Sequence, residues 1–184
     1  MKAWKTLSKE VILSRKPYLE VENHHVQLPD GRVIDHWTWI NTPNFVLVAA
    51  ITKDDRLVCL RQTKYAVNGI TLATPGGYIE DGEAPLEAAK RELREEAGFS
   101  AEHWEDFGTY VVDGNRGNGH GHFFVAHGAY PIEKSASDDL EEQELLLLDR
   151  AAVEQALWNG KFKMIASQTL VAMVLLRWGK PGKK

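Results

Sequence analysis

The stretch Gly77 to Phe99, GYIEDGEAPLEAAKRELREEAGF, constrains this chain more than any other. Its second half reads as a helix with a start and a stop. Pro85 suits a first helical turn, and Asp81 and Glu83 set negative charge at the positive end of the helix dipole. Gly98 ends the run as a C′ residue would. Wound at about 100° per residue, Leu86, Ala89, Leu93 and Ala97 share a stripe that should face a core. Glu92, Glu95 and Glu96 share another, with Ala88 in its middle. Carboxylates at i, i+3 and i+4 repel by about 0.2–0.5 kcal/mol per pair. Arg91, four residues from both Glu87 and Glu95, can relieve part of this, while Lys90 and Arg94 point to solvent. One reading of the three acids is a solvated acidic face. The other is a hard-cation site, because Mg²⁺ takes oxygen ligands and bridges carboxylates to phosphates. The Gly76 carbonyl is then a further ligand candidate, since glycines let backbone approach a metal or phosphate closely.

The rest of the chain bounds what that helix can serve. With 184 residues it predicts one domain, 1–184, large enough for a substantial core. A net charge of −4 offers no global basic surface for nucleic acid, so a phosphorylated substrate would need local cations or metal. The one cysteine, Cys59, lies in the apolar run Leu57–Leu60 and reads as buried. The first residues carry no apolar targeting segment, and no apolar run approaches the ~18 residues of a membrane span. The expectation is a cytoplasmic protein with neither membrane nor nucleic-acid partners.

Taken in order, residues 1–18 are weakly patterned, an arm or short strand. Leu19–Leu28 and Arg32–Ile40 flank Pro-Asp-Gly turn chemistry and predict an antiparallel hairpin. Trp37 and Trp39 share a strand face, either as packing or as a stacking platform for a base. Phe45–Ile51 and Arg56–Gln62 read as buried strands. Arg61, Lys64 and Arg32 are candidates for phosphate contacts. Trp104–Val112 and His122–His127 read as strands around a mobile loop, Asp113–Gly121, whose Arg116 could reach a phosphate. His120 and His122 alternate onto one face, but no third ligand stands at zinc spacing. An acidic run, Ser135–Glu144, precedes the strand Leu145–Leu148. Helices follow over Arg150–Asn159 and Ile165–Trp178, and residues 179–184 read as a frayed tail.

The stretch fits G-x5-E-x7-R-E-U-x-E-E-x-G-U (U, bulky apolar) at Gly77, Glu83, Arg91, Glu92, Leu93, Glu95, Glu96, Gly98 and Phe99. That pattern resembles the Nudix box of the Nudix hydrolases. Across residues 19–178 the order of elements is similar to the ADP-ribose and nucleoside-diphosphate-sugar pyrophosphatase branch. The resemblance implies an α/β (α+β) fold, a Nudix-type α/β/α sandwich with a mixed sheet and an N-terminal antiparallel hairpin. It implies a homodimer that uses the strands of residues 1–40. It also implies Mg²⁺, with Mn²⁺ as a substitute, held by Glu92, Glu95, Glu96 and Gly76.

By the same likeness Trp37 stacks on the base, and Arg61, Lys64 and Arg116 contact the substrate. Glu142 is the acidic-loop candidate for catalysis, with Glu141 and Glu144 as rivals. Glu95 is the box candidate for the same step, and Glu83 and Arg91 orient the box. The implied reaction is metal-dependent hydrolysis of a diphosphate, in ADP-ribose or a related sugar nucleotide, to a nucleoside monophosphate and a sugar phosphate. Two departures bear on the substrate: Lys64 stands where the branch has arginine, and Gly114-Asn115 where ADP-ribose-specific members carry proline. GDP-mannose, dinucleoside polyphosphates and oxidised nucleotides stay open as substrates, as does a silent sensor of nucleotide sugars.

Overall fold

The structure, a computed structural model, describes residues 1–132 and 142–178. The tail 179–184 and most of the acidic run, including Glu141, lie outside them. The described chain forms ten strands and three helices, grouped into two compact units.

One unit comprises residues 1–44 and 109–121. Its first strand, β1, runs from Lys5 to Arg15, where the sequence predicts an arm or short strand. It pairs antiparallel with β2 (Leu19–Gln27), with irregular register between Thr6 and Ser8 and between Val11 and Leu13. These interruptions blunt the alternation that would mark a strand in sequence. The predicted hairpin is present as β2 and β3 (Val33–Asn41), so the N-terminal sheet has three antiparallel strands rather than two. Residues predicted as the loop Asp113–Gly121 are mostly strand. Here β8 (His103–Asp113) and β9 (Gly117–Pro131) leave only Gly114, Asn115 and Arg116 between them. The turn is held by Asp113 Oδ1, which accepts from the N–H groups of Asn115 (2.8 Å) and Arg116 (3.1 Å), a cap on a tight turn. Ile40 of β3 pairs in parallel with Gly117, which makes the sheet mixed.

The second unit comprises residues 45–108 and 122–178 of the described chain. Strand β4 (Phe45–Thr52) lies beside β9, and β5 (Arg56–Thr63) pairs antiparallel with β10 (Gln143–Asp149). The short β6 (Ile70–Ala73) pairs with β5, and β7 (Phe99–Ser100) pairs with β9. Alternate residues feed two cores, as the pleat requires. Leu47, Ala49, Leu57, Cys59 and Val125 pack with residues of α2 (Arg150–Trp158) and α3 (Ile165–Arg177). Val46, Val48, Val58, Phe124 and Ala126 pack with Ala88, Ala89, Leu93 and Ala97 of α1 (Pro85–Ala97). Helices thus cover both faces of this sheet, the expected α/β/α sandwich. Cys59 is fully buried as read, and burial pushes its thiol up to about 12.

Candidate active site at the first helix

Helix α1 begins and ends where the residues dictate. Pro85 occupies the first turn, and Gly98 closes the helix in the left-handed region (φ 68°), donating its N–H to Arg94 O at 2.9 Å. The stripe of Ala89, Leu93 and Ala97 is buried, and so is Ala88 on the acidic side. The three glutamates therefore do not lie on a solvated face. Glu92 is only 9% exposed, and Glu95 and Glu96 are half-buried.

The loop entering the helix is pinned to β4. Val48 N–H donates to Pro75 O (2.8 Å) and Val46 N–H to Gly77 O (2.9 Å). Gly76 N–H donates to Glu96 Oε2 at 2.8 Å, which ties the loop to the last turn of α1. A Cβ on Gly77 would lie 2.6 Å from Glu92 Cδ and 2.8 Å from its Oε2. Only glycine lets the backbone pass this close to that carboxylate.

Arg91 organises the acids. Its Nε and Nη2 donate to the two oxygens of Glu83 at 2.9 and 3.0 Å, a bidentate pair. Its Nη1 donates to Glu92 Oε1 (2.7 Å) and Glu95 Oε2 (3.1 Å), and Nη2 also reaches Tyr78 O (3.0 Å). Glu87, the other expected partner of Arg91, pairs with Lys90 instead (2.8 Å), because Arg91 is committed inward. The hydrogen bonds from Arg91 hold the Glu83 carboxyl below the usual range, and Glu83 in turn raises the guanidinium.

A donor set of carboxylates beside a glycine loop suits a hard divalent cation chemically. Among the described residues no three acidic, imidazole or thiol groups already converge as a ligand set. Arg91 holds one oxygen each of Glu92 and Glu95, and Gly76 N–H holds one of Glu96. Glu92, Glu95 and Glu96 could hold a metal together with the Gly76 carbonyl.

The remaining candidates fall in three places. Glu142 is exposed and lines a cavity of about 410 Å³ with Arg61. In that cavity Arg61 Nη1 donates to Glu144 Oε2 at 2.7 Å, so this arginine is already paired. Lys64 is half-buried, and its backbone carbonyl accepts from the Val67 N–H (2.8 Å). Arg32 is paired with Asp30 (2.7 Å). Arg116 is exposed in the tight turn, 3.9 Å from Asp113. Trp37 lies in the N-terminal unit, where it and Trp39 line a second cavity of about 390 Å³ with Trp4 and His24.

Trp37 Nε1 donates to Asn115 O at 2.8 Å, and Trp4 meets its ring edge-on with centroids 5.0 Å apart. His24 stacks on Trp39 at 5.3 Å and hydrogen-bonds Glu22. Sequence reasoning did not find Trp4, which sits before β1 in a segment with no clear period. It also passed over Gln62 and Gln143, which become neighbours only through the register of β5 on β10.

Comparison with known proteins agrees with this fold. The family model described as "NUDIX domain" matches residues 41–168, and that for the "Nucleoside diphosphate sugar hydrolase N-terminal domain" matches residues 4–40. The chain is 31% identical over 175 residues to a "Methanol dehydrogenase activator" of Bacillus methanolicus, covering 94% of this chain and 92% of that one. It is 27% identical over 153 residues to an "ADP-ribose pyrophosphatase" of Bacillus subtilis (strain 168), covering 83% and 80%. Among solved structures, an "ADP compounds hydrolase" superposes with a TM-score of 0.78 at 22% identity, over 96% of this chain and 94% of that one. With Arg91 joining Glu83, Glu92 and Glu95 and the family model spanning most of its length, the chain belongs to the Nudix hydrolase family.

Proposed function

We propose that this enzyme hydrolyses the diphosphate bond of a nucleoside diphosphate joined to a sugar, with ADP-ribose the first substrate to test. The observation that carries the reading is the helix α1 network, in which Arg91 gathers Glu83, Glu92 and Glu95 while Glu96 anchors the glycine loop. The printed names of the Bacillus subtilis relative and of an Escherichia coli relative, "ADP compounds hydrolase NudE", point to the same substrate class.

Glu92, Glu95 and Glu96, with the Gly76 carbonyl, would hold Mg²⁺ or Mn²⁺. When bound, such an ion neutralises diphosphate charge and makes a coordinated water acidic. Glu142, or Glu95 in the box, takes the proton of the attacking water. The water oxygen bonds to one phosphorus, the bridging P–O bond breaks, and a nucleoside monophosphate and a sugar phosphate leave. Glu83 and Arg91 orient the acids. Arg61, Lys64 and Arg116 supply positive charge for the phosphates, and Trp37 offers its indole face to the base.

The same proposal includes a cytoplasmic homodimer. All eleven residues of β1, an edge strand of the sheet, are exposed, Leu7, Val11 and Leu13 among them, so the strand offers a free edge and apolar side chains that a second copy would cover. No helix among the described residues is long and apolar enough to cross a membrane.

The test is a substrate panel with Mg²⁺: ADP-ribose, GDP-mannose, a dinucleoside polyphosphate and an oxidised nucleotide. Preferential cleavage of ADP-ribose supports the reading, and cleavage of another member reassigns the substrate. No cleavage of any would leave a nucleotide-sugar sensor. A second reading comes from the Bacillus methanolicus relative, whose alignment covers 94% of this chain. In it, the chain raises the rate of an alcohol dehydrogenase. Adding the wild type and Glu96→Gln to a methanol dehydrogenase assay separates activation by hydrolysis from activation by contact.

A further inference from the structure

Strands β5 and β10 place Gln143 directly opposite Gln62. Gln62 is 4% exposed, and its side-chain oxygen has no hydrogen-bond partner among the described residues. Gln143 is half-buried, and both its amide oxygen and its amide nitrogen are buried without partners among the described residues. Buried amides left unpaired are destabilising and rare, so two at one register position call for an explanation.

Their direction follows from the pleat. Val58 of β5 and Leu147 of β10 pack in the core layer that contains α1. Gln62 lies four residues after Val58 and Gln143 four before Leu147, so both belong to that same sheet face. They line the cavity of about 410 Å³ together with Glu142, the candidate base.

The lining selects a ligand class. Arg61 and Glu144, paired at 2.7 Å, lie one residue from the glutamines and so on the other sheet face. On the glutamine face a phosphate, whose oxygens only accept hydrogen bonds, would meet amide oxygens and the Glu142 carboxylate. A hydroxyl both donates and accepts, and so do paired amides whichever way each is turned. We propose that the Gln62–Gln143 pair, which lines the β5–β10 cavity with Gln62 Oε1 and both Gln143 amide atoms unpartnered among the described residues, binds the hydroxyl groups of the substrate's sugar portion. The pair thereby sets a preference for polyhydroxylated leaving groups. This rests on the diphosphate-sugar reading above.

The test compares ADP-ribose with the β-methyl ester of ADP, which keeps the nucleoside and diphosphate but lacks the sugar. The readout is the ratio of the two kcat/KM values, for the wild type, Gln62→Met and Gln143→Met. Methionine keeps the length of the side chain and removes its hydrogen bonds. The expectation is a wild-type ratio well above ten. Each variant should lower it by about three- to tenfold, the worth of one neutral hydrogen bond, mainly through the KM for ADP-ribose.

A structural role would slow both substrates alike and leave the ratio unchanged, which overturns the proposal. So does a wild-type ratio near one. If neither ester is cleaved by the wild type, the hydrolase reading falls and this inference with it. If both are cleaved but the variants keep the ratio, only the inference falls. Should Gln62→Met fail to fold, Gln143→Met, at a half-buried strand end, decides alone.

Discussion

Replacing Gly77 with alanine should separate chemistry from stability. The added methyl would lie 2.6 Å from Glu92 Cδ and 2.8 Å from Oε2, and nearer still to Oε1. Carbon and oxygen need about 3.3 Å, so the carboxylate must retreat by roughly 0.5–1 Å. Gly77 itself has no left-handed backbone to strain, and the obstructing group is the end of a flexible side chain. Folding should therefore lose no more than about 1 kcal/mol, or some 2–4 °C in Tm. Turnover is another matter, because Glu92 shares Arg91 with Glu95 and Glu83. A misplacement of about 1 Å in such a constellation costs on the order of 100-fold in rate.

Gly76→Ala supplies the contrast. Its methyl would run into Val46 O and lie 3.0 Å from Leu47 Cα, backbone that cannot step aside. That change should cost about 3 kcal/mol or more, with Tm falling accordingly. Initial rates of Mg²⁺-dependent ADP-ribose cleavage and thermal melts of both variants are the assay. A Gly77→Ala enzyme with wild-type rate and wild-type Tm would refute the claim that the position of Glu92 governs catalysis.

Glu96→Gln keeps an oxygen for the Gly76 N–H but loses the charge; turnover should fall by about 100-fold or more with Tm little changed, measured by initial rates and thermal melts. Glu83 has a folded-state pKa depressed below its ordinary 4.5 by Arg91, so its contribution to stability is complete above that value and is lost as pH falls through the folded pKa. Denaturation midpoints of wild type and Glu83→Gln should differ by a constant amount from pH 8 to 5 and converge below pH 4.5. A difference that widens on acidification would reverse the sign of that linkage. Trp37→Ala should raise the KM for ADP-ribose by about five- to 100-fold if the indole stacks on the base, read from steady-state kinetics.

What the sequence exposed and what it hid divide along physical lines. Helix α1 was legible because its signals are local: a proline start, a glycine stop and a period that fits one buried stripe. The strand pairs around Pro29-Asp30-Gly31 and Lys53-Asp54-Asp55 were legible for the same reason. β1 was not, since all its residues are exposed and no alternation survives its two register irregularities. The stretch Asp113–Gly121 misled through its glycines, which suit a mobile loop. In the fold Asp113 caps a short turn, and Gly117 onward extends β9. Glycine content signals backbone permissiveness, and only long-range pairing decides how that freedom is used.

The site shows the same division more sharply. Three acids on one side of α1 could be read from spacing, but that Arg91 holds Glu92 and Glu95 while the Gly76 N–H holds Glu96 could not. The expected partner at i−4, Glu87, is displaced by Glu83, eight residues back, because the loop before the helix folds over it. That substitution changes the meaning of the cluster. Arg91 is only 19% exposed at its side chain, and Glu92 12%, so these are not screened surface pairs. The guanidinium offsets the mutual repulsion that buried Glu92 and half-buried Glu95 would otherwise impose on the helix. It also takes one oxygen each from Glu92 and Glu95, so a cation of the proposed kind would meet acids already oriented but partly engaged. On the proposed reading Arg91 would link fold to function in both directions: it lets the helix carry a high density of negative charge, and it would set how strongly that charge could be lent to a metal.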